Sequence, residues 1–178
     1  MLGSSAVRSF LASHPQAERA DLFTLTLASG SVYRYTSAGQ DVTIPYVGTF
    51  AAGGQLTASP VVRRGSISWA LGFETSTLSV EFLCQASTML GATPFAKTAA
   101  TGALKGATLT VERLVMASWG DMTYSGDLIW LFTGDVGSVD AEPSVVKVTV
   151  ESAVQRVRNR QFPIRTITPD IFPFLPEK

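Results

Sequence analysis

Apolar and polar positions recur along this chain at two different periods. Near the start, Ala6, Val7, Phe10 and Leu11 fall at helical spacing between a capping Ser4 or Ser5 and Pro15, which predicts a short N-terminal helix. From residue 21 the period drops to two. Leu22, Thr24 and Thr26 alternate with Phe23, Leu25 and Leu27. After Ser29-Gly30-Ser31, Val32, Arg34 and Thr36 alternate with Tyr33 and Tyr35. Two half-buried runs around a small turn predict a β-hairpin. The stretch Val42 to Phe50 is interrupted by Pro45 and Gly48 and reads as an edge or irregular strand, followed by a loop at Ala51 to Gly54.

Residues 61–71 and 76–84 form the next pair. In the first, Ile67, Trp69 and Leu71 share a face before a turn point at Gly72. In the second, Leu78, Val80 and Phe82 oppose Thr77, Ser79 and Glu81. Residues 93–104 suit a short helix or a structured connector, with Thr93 as cap, Pro94 in the first turn, and Gly102 and Gly106 as bounds. Alternation returns with Leu109, Val111, Arg113 and Val115 against Thr108, Thr110, Glu112 and Leu114. Another strand runs from Leu128 to Thr133, with Trp130 and Phe132 on one face. Asp135-Val136-Gly137 reads as a turn, and Val146, Val148 and Val150 line one side of a last strand. These short strands, separated by Gly, Ser and Pro, predict a mainly β fold: an antiparallel β-barrel or sandwich with a short N-terminal helix and room for one internal helix. The organisation expected is a helix or arm over 1–20, a β-rich domain over 21–160 (one unit or two small subdomains), and a Pro-rich apolar arm over 161–178.

That arm holds Pro163, Pro169, Pro173 and Pro176 among Phe162, Ile164, Ile167, Ile171, Phe172, Phe174 and Leu175. The prolines exclude a central strand, and so much apolar surface calls for packing on the domain itself or on another subunit. Just before it, Arg156, Arg158 and Arg160 occupy alternate positions, with Arg165 beyond. In extended chain they form a guanidinium stripe, suited to an acidic neighbour or to keeping an edge strand solvated. Arg156, Arg158, Arg160, Phe162, Ile171, Phe172 and Phe174 are therefore the candidate interface residues.

Length and charge narrow the function. The 178 residues fit one compact domain, or two small ones sharing a sheet. Fourteen basic and fourteen acidic side chains cancel, which argues against a module relying on a strongly basic surface for nucleic acid. Charged residues make up only 16%, and serine and threonine are abundant, so little charge repulsion keeps copies apart. No secretory leader pattern, no unbroken run of eighteen apolar residues and no internal repeat is evident, so a soluble, intracellularly made protein is expected.

Signals of catalysis are sparse. His14, the single histidine, ends the leading helix, where a capping or solvated ring is the plain expectation. Cys84, the single cysteine, ends an alternating strand and suits a core thiol. One of each excludes a His/Cys zinc site within one chain. Asp121, Asp127, Asp135 and Asp140 lack the spacing of a calcium loop and suit turn chemistry. No phosphate-binding glycine motif follows a strand. Tyr33, Tyr35, Trp69, Trp119, Tyr124 and Trp130 leave open a carbohydrate- or ligand-binding β-sandwich, although core aromatics explain them equally well.

Several phrases, taken in order, carry a resemblance. They are Leu25-Thr26-Leu27 through Val32-Tyr33-Arg34-Tyr35-Thr36, then Asp41-Val42-Thr43; Val62-Arg63-Arg64-Gly65-Ser66-Ile67; and Gly72-Phe73-Glu74-Thr75-Ser76-Thr77-Leu78-Ser79-Val80. Gly106-Ala107-Thr108-Leu109-Thr110-Val111, Leu131-Phe132-Thr133-Gly134-Asp135-Val136-Gly137 and Asn159-Arg160-Gln161-Phe162-Pro163 complete the series. Through residues 20–163 the chain resembles the hub proteins of long-tailed bacteriophages and gene transfer agents. The resemblance implies a virion structural protein of tail-hub β-barrel type, not an enzyme, made in the host cytoplasm and built into the tail tip. It implies a homotrimeric ring at the proximal hub, touching the distal tail protein, the central hub or fibre protein and the tape-measure protein around the channel. Sequence-specific nucleic-acid binding and membrane insertion are not expected. Many relatives carry cysteines for an iron–sulfur cluster after the Pro-containing exit; residues 164–178 contain none, so no cofactor is expected here.

Overall fold

A computed structural model describes residues 4–54, 57–68, 76–118, 124 and 126–152. The leading helix, α1 (Ser5–Ser13), starts where Ser4 caps it: the Val7 N–H donates to Ser4 Oγ at 3.3 Å. The hydroxyl of Ser4 in turn donates to Asp127 Oδ2 at 2.6 Å, tying the helix to the loop before a distant strand. Val7 is the buried residue of α1, while Phe10 and Leu11 are half-covered and Ala6 is exposed.

The strands follow as β1 (Glu18–Thr26), β2 (Val32–Thr36), β3 (Val42–Ile44), β4 (Gly48–Ala52), β5 (Val61–Ser68), β6 (Thr77–Leu83), β7 (Met89–Leu90), β8 (Thr93–Pro94), β9 (Thr108–Met116), β10 (Ile129–Ala141) and β11 (Val145–Ser152). A second helix, α2 (Phe95–Ala100), lies between β8 and β9. Among the described residues nine strands form one sheet in the order β3-β4-β2-β1-β9-β10-β11-β6-β5, and β7 and β8 form a small ribbon. Among the described residues every pairing is antiparallel, as expected, except the short parallel pairing of β2 with β4.

The sheet curls until its far strands meet. Tyr35 on β2 and Phe82 on β6 stand at opposite ends of the order, yet their rings pack edge to face with centroids 6.0 Å apart. β2 also approaches β5, and no ladder joins the two among the described residues. The result is a barrel with one unladdered seam. Phe23, Leu25, Leu78, Val80, Phe82, Leu109, Val111, Val146, Val148 and Val150 point into it, and Phe95 and Ala99 of α2 pack into the same core.

The pattern expected of β1 understates its burial. Phe23 and Leu25 enter the barrel, while Ala20 and Leu22 pack outward into a second core with Val42, Ile44, Phe50, Leu114 and Met116. The β3–β4 hairpin is what covers that outer face, so the stretch expected to be an edge or irregular strand is two short strands about Pro45-Tyr46-Val47, with β3 at the edge of the sheet.

Two expectations on β10 are overturned. Asp135-Val136-Gly137 is no turn: β10 continues through it, its register with β11 shifting between Val136 and Ser138, and the chain reverses at Glu142 to Ser144. Gly134 serves close approach of backbone to backbone, while Gly137 sits at the register shift against the movable Glu151 side chain. A Cβ on Gly134 would overlap the Glu151 carbonyl oxygen, and one on Gly137 would lie 2.7 Å from the Glu151 carboxyl carbon. Trp130 and Phe132 do not share an environment either. The register shifts by one residue between them, leaving Trp130 exposed and Phe132 buried. The internal helix is also shorter than expected: Thr93 and Pro94 pair as β8, Pro94 stands at the N-cap without a side-chain cap, and Gly102 follows the helix at φ 83°.

Candidate functional site

Alternation puts three charges on the inward face of the barrel. Asp21 shares its face with Phe23 and Leu25, Arg113 with Leu109 and Val111, and Arg64 with Val62. They converge near one end of the core. Arg113 Nε donates to Asp21 Oδ1 and Arg64 Nε to Asp21 Oδ2, both at 2.8 Å, and Arg113 adds a longer bond of 3.3 Å to Oδ2. The three side chains are only 13%, 20% and 26% exposed for Asp21, Arg64 and Arg113. Burial alone would raise the Asp21 carboxyl, but the hydrogen bonds and charges of Arg113 and Arg64 outweigh it and hold the group below its ordinary range. The backbone is fixed too: the Asp21 N–H donates to Ser37 Oγ at 2.8 Å, and its carbonyl accepts from the Ser37 N–H at 2.9 Å.

Two open grooves flank α2. One, about 370 Å³, lies against the β10–β11 turn between Pro94, Lys97, Glu142 and Pro143. The other, about 510 Å³, lies between Ala99, Lys105 and the Gly137 to Val139 stretch of β10. Their walls are mostly small residues, and neither contains a histidine or cysteine. Elsewhere, Tyr46 stands fully exposed at the β3–β4 tip with φ 65°, beside exposed Val47.

The residues singled out for chemistry take structural places. His14 is the C-cap of α1; its ring stacks on Phe10 at 4.3 Å, and Nδ1 lies 3.2 Å from the Phe10 carbonyl. Cys84 is buried, its Sγ donates to the Phe82 carbonyl at 3.5 Å, and burial pushes its thiol up to about 11. Asp127 accepts from Ser4 and Asp135 from Thr108, while Asp121 lies outside the described residues. Among the described residues no three His, Cys, Asp or Glu side chains are grouped to hold a metal. Among the described residues the aromatics form no common platform. Tyr35 is buried between Phe82 and Phe95, Tyr124 packs on the outer core, Trp130 bonds Thr133, and Trp69 and Trp119 lie outside the described residues. All the candidate interface residues, Arg156, Arg158, Arg160, Phe162, Ile171, Phe172 and Phe174, also lie outside them.

Sequence reasoning missed the Asp21 cluster, whose partners are 43 and 92 residues away. The available signal was parity: Asp21 and Arg113 each fall on the apolar side of an alternating strand, where a charge needs a partner.

Over residues 4–169 the sequence matches the family described as baseplate hub protein, N-terminal attachment domain. The chain belongs to that family. The hub domain is accordingly a structural component of the phage tail baseplate, and its place is the virion tail. Its fold is that of a chain in the virion of a native gene transfer agent particle, with a TM-score of 0.59 at 17% identity over 86% of this chain. The match takes in 48% of that chain, so the hub domain spans about half the length of the protein it resembles. No curated protein matches the sequence.

Proposed function

We propose that the hub domain is a subunit of the proximal ring of the tail tip, three copies joining the distal tail ring to the central hub or fibre around the channel that the tape-measure protein occupies. Its work on this reading is shape and contact, with no bond made or broken. The observation that carries the reading is membership of an attachment-domain family across nearly the whole chain. The domain supports it by spending its histidine on a helix cap and its cysteine in the core. A closed ring of identical copies needs two different complementary patches per subunit. We assign one to the arm over residues 161–178 together with the Arg156, Arg158 and Arg160 stripe, and the other to the β-rich body over 21–160.

The test is assembly. Purified hub domain mixed with the distal tail protein of the same virus should give a three-copy ring by light scattering and electron microscopy. Deleting residues 162–178 should weaken that ring while leaving the folding transition in place. A chain that stays monomeric and never enters tails defeats the proposal. Unimpaired ring formation by the truncated chain defeats the arm assignment alone.

A further inference from the structure

The seam of the barrel is built differently from the rest of its wall. Between β2 and β5 no strand ladder runs among the described residues, although the two strands approach each other. Besides the Tyr35–Phe82 ring contact, two kinds of contact replace the ladder among the described residues. At one point the backbone of Gly53, just past β4, packs directly on Pro60 and Val61, leaving no room for a Cβ. At another, Arg64 reaches from β5 across the seam to Asp21 on β1. Four strands separate β1 from β5 in the sheet order, so this ion pair bridges the barrel where its hydrogen-bonded wall stops.

β5 also carries the marks of an edge strand kept apart from others. Its register with β6 shifts between Arg64 and Ile67, a bulge that covers Gly65 and Ser66. Arg64 points inward as a charge, and Arg63, Gly65 and Ser66 face solvent. Bulges and inward charges are the devices by which edge strands refuse to pair. Here the inward charge has a second use, because Asp21 satisfies it. Arg113 holds the same carboxylate, but its strand is already paired with β1 over nine residues, so its bond adds nothing to closure.

We infer that Asp21 is a clasp on β5: beside the ladder that ties β5 to β6, the Asp21–Arg64 pair keeps the seam shut, and losing it lets β5 open more readily while the wall from β2 to β6 stays folded. A freed β5 uncovers the edge of β6 and the Tyr35–Phe82 contact behind it. This inference stands whether or not the ring proposal holds.

Hydrogen–deuterium exchange read by mass spectrometry tests it on the whole chain. Arg64→Gln should speed exchange of residues 61–68 by roughly tenfold, as expected when a charged hydrogen bond across the seam is lost. Exchange in β9, β10 and β11 should change little, and Arg113→Gln should leave residues 61–68 close to wild type. Two results overturn the clasp: an unchanged β5 in Arg64→Gln, or equal acceleration of all strands by both variants. If Arg64→Gln fails to fold, the wild-type chain in low urea decides. β5 must then open at lower denaturant than β9 and β10, and simultaneous opening of the three refutes the inference.

Discussion

Gly134→Ala is the sharpest test of the packing described for β10. Gly134 is buried in that strand beside β11. An added methyl would overlap the Glu151 carbonyl oxygen and lie 2.8 Å from its carbon and 2.9 Å from Phe132 Cε1, where ordinary contact begins at 3.4 Å. Two of those atoms are backbone, so no side-chain rotation relieves the clash, and β10 and β11 must part locally. Overpacking of this kind costs about 1–3 kcal/mol. Weakening a ladder bond beside it adds about 1 kcal/mol. A loss of about 3 kcal/mol lowers the midpoint of thermal unfolding by about 6–12 °C in a domain of this size. Circular dichroism melts of the variant against Gly39→Ala make the comparison fair, because a Cβ at Gly39 meets nothing within 4 Å and needs no positive φ. If the two variants melt together, the close approach of β10 to Glu151 is wrong.

Three further outcomes follow from the charges and the thiol. Burial raises the Glu112 carboxyl, so the folded state binds a proton more readily than the unfolded chain, and this group's contribution falls as pH rises above the ordinary glutamate value. Glu112→Gln should therefore be the more stable protein at pH 7, by less than about 1 kcal/mol, with the advantage gone in acid, as read from urea midpoints. Asp21 has the opposite sign. Its lowered value contributes stability above the ordinary aspartate range that is lost as pH falls through the folded value, so Asp21→Asn should flatten the acid limb of the urea midpoint against pH. Cys84, with its thiol pushed up to about 11, should resist a thiol reagent at pH 8 in the folded protein and react promptly in urea.

Local pattern carried much of the fold. Ser4 as cap, the Ser29 to Ser31 turn and the clean inward faces of β6 and β11 are legible because each is decided by neighbours within a few residues. The turn assigned to Asp135 to Gly137 failed for an instructive reason. Glycine beside aspartate signals a reversal, but the same residue also permits backbone to approach backbone, and only the position of β11 chooses between them. The faces of Trp130 and Phe132 went wrong through one bulged residue, which inverts parity for everything beyond it. The seam, the outer core under β3 and β4, and the Asp21 cluster are products of sheet closure, to which no local window has access.

The nine-residue pairing of β1 with β9 has a mechanical meaning for a part held in a tail. A pull directed along β1 must shear that entire ladder at once, with both flanking cores resisting the slide. A pull on β3 meets three paired residues and peels them one after another. The domain is therefore anisotropic in strength, stiff along its first strand and yielding at its outermost hairpin.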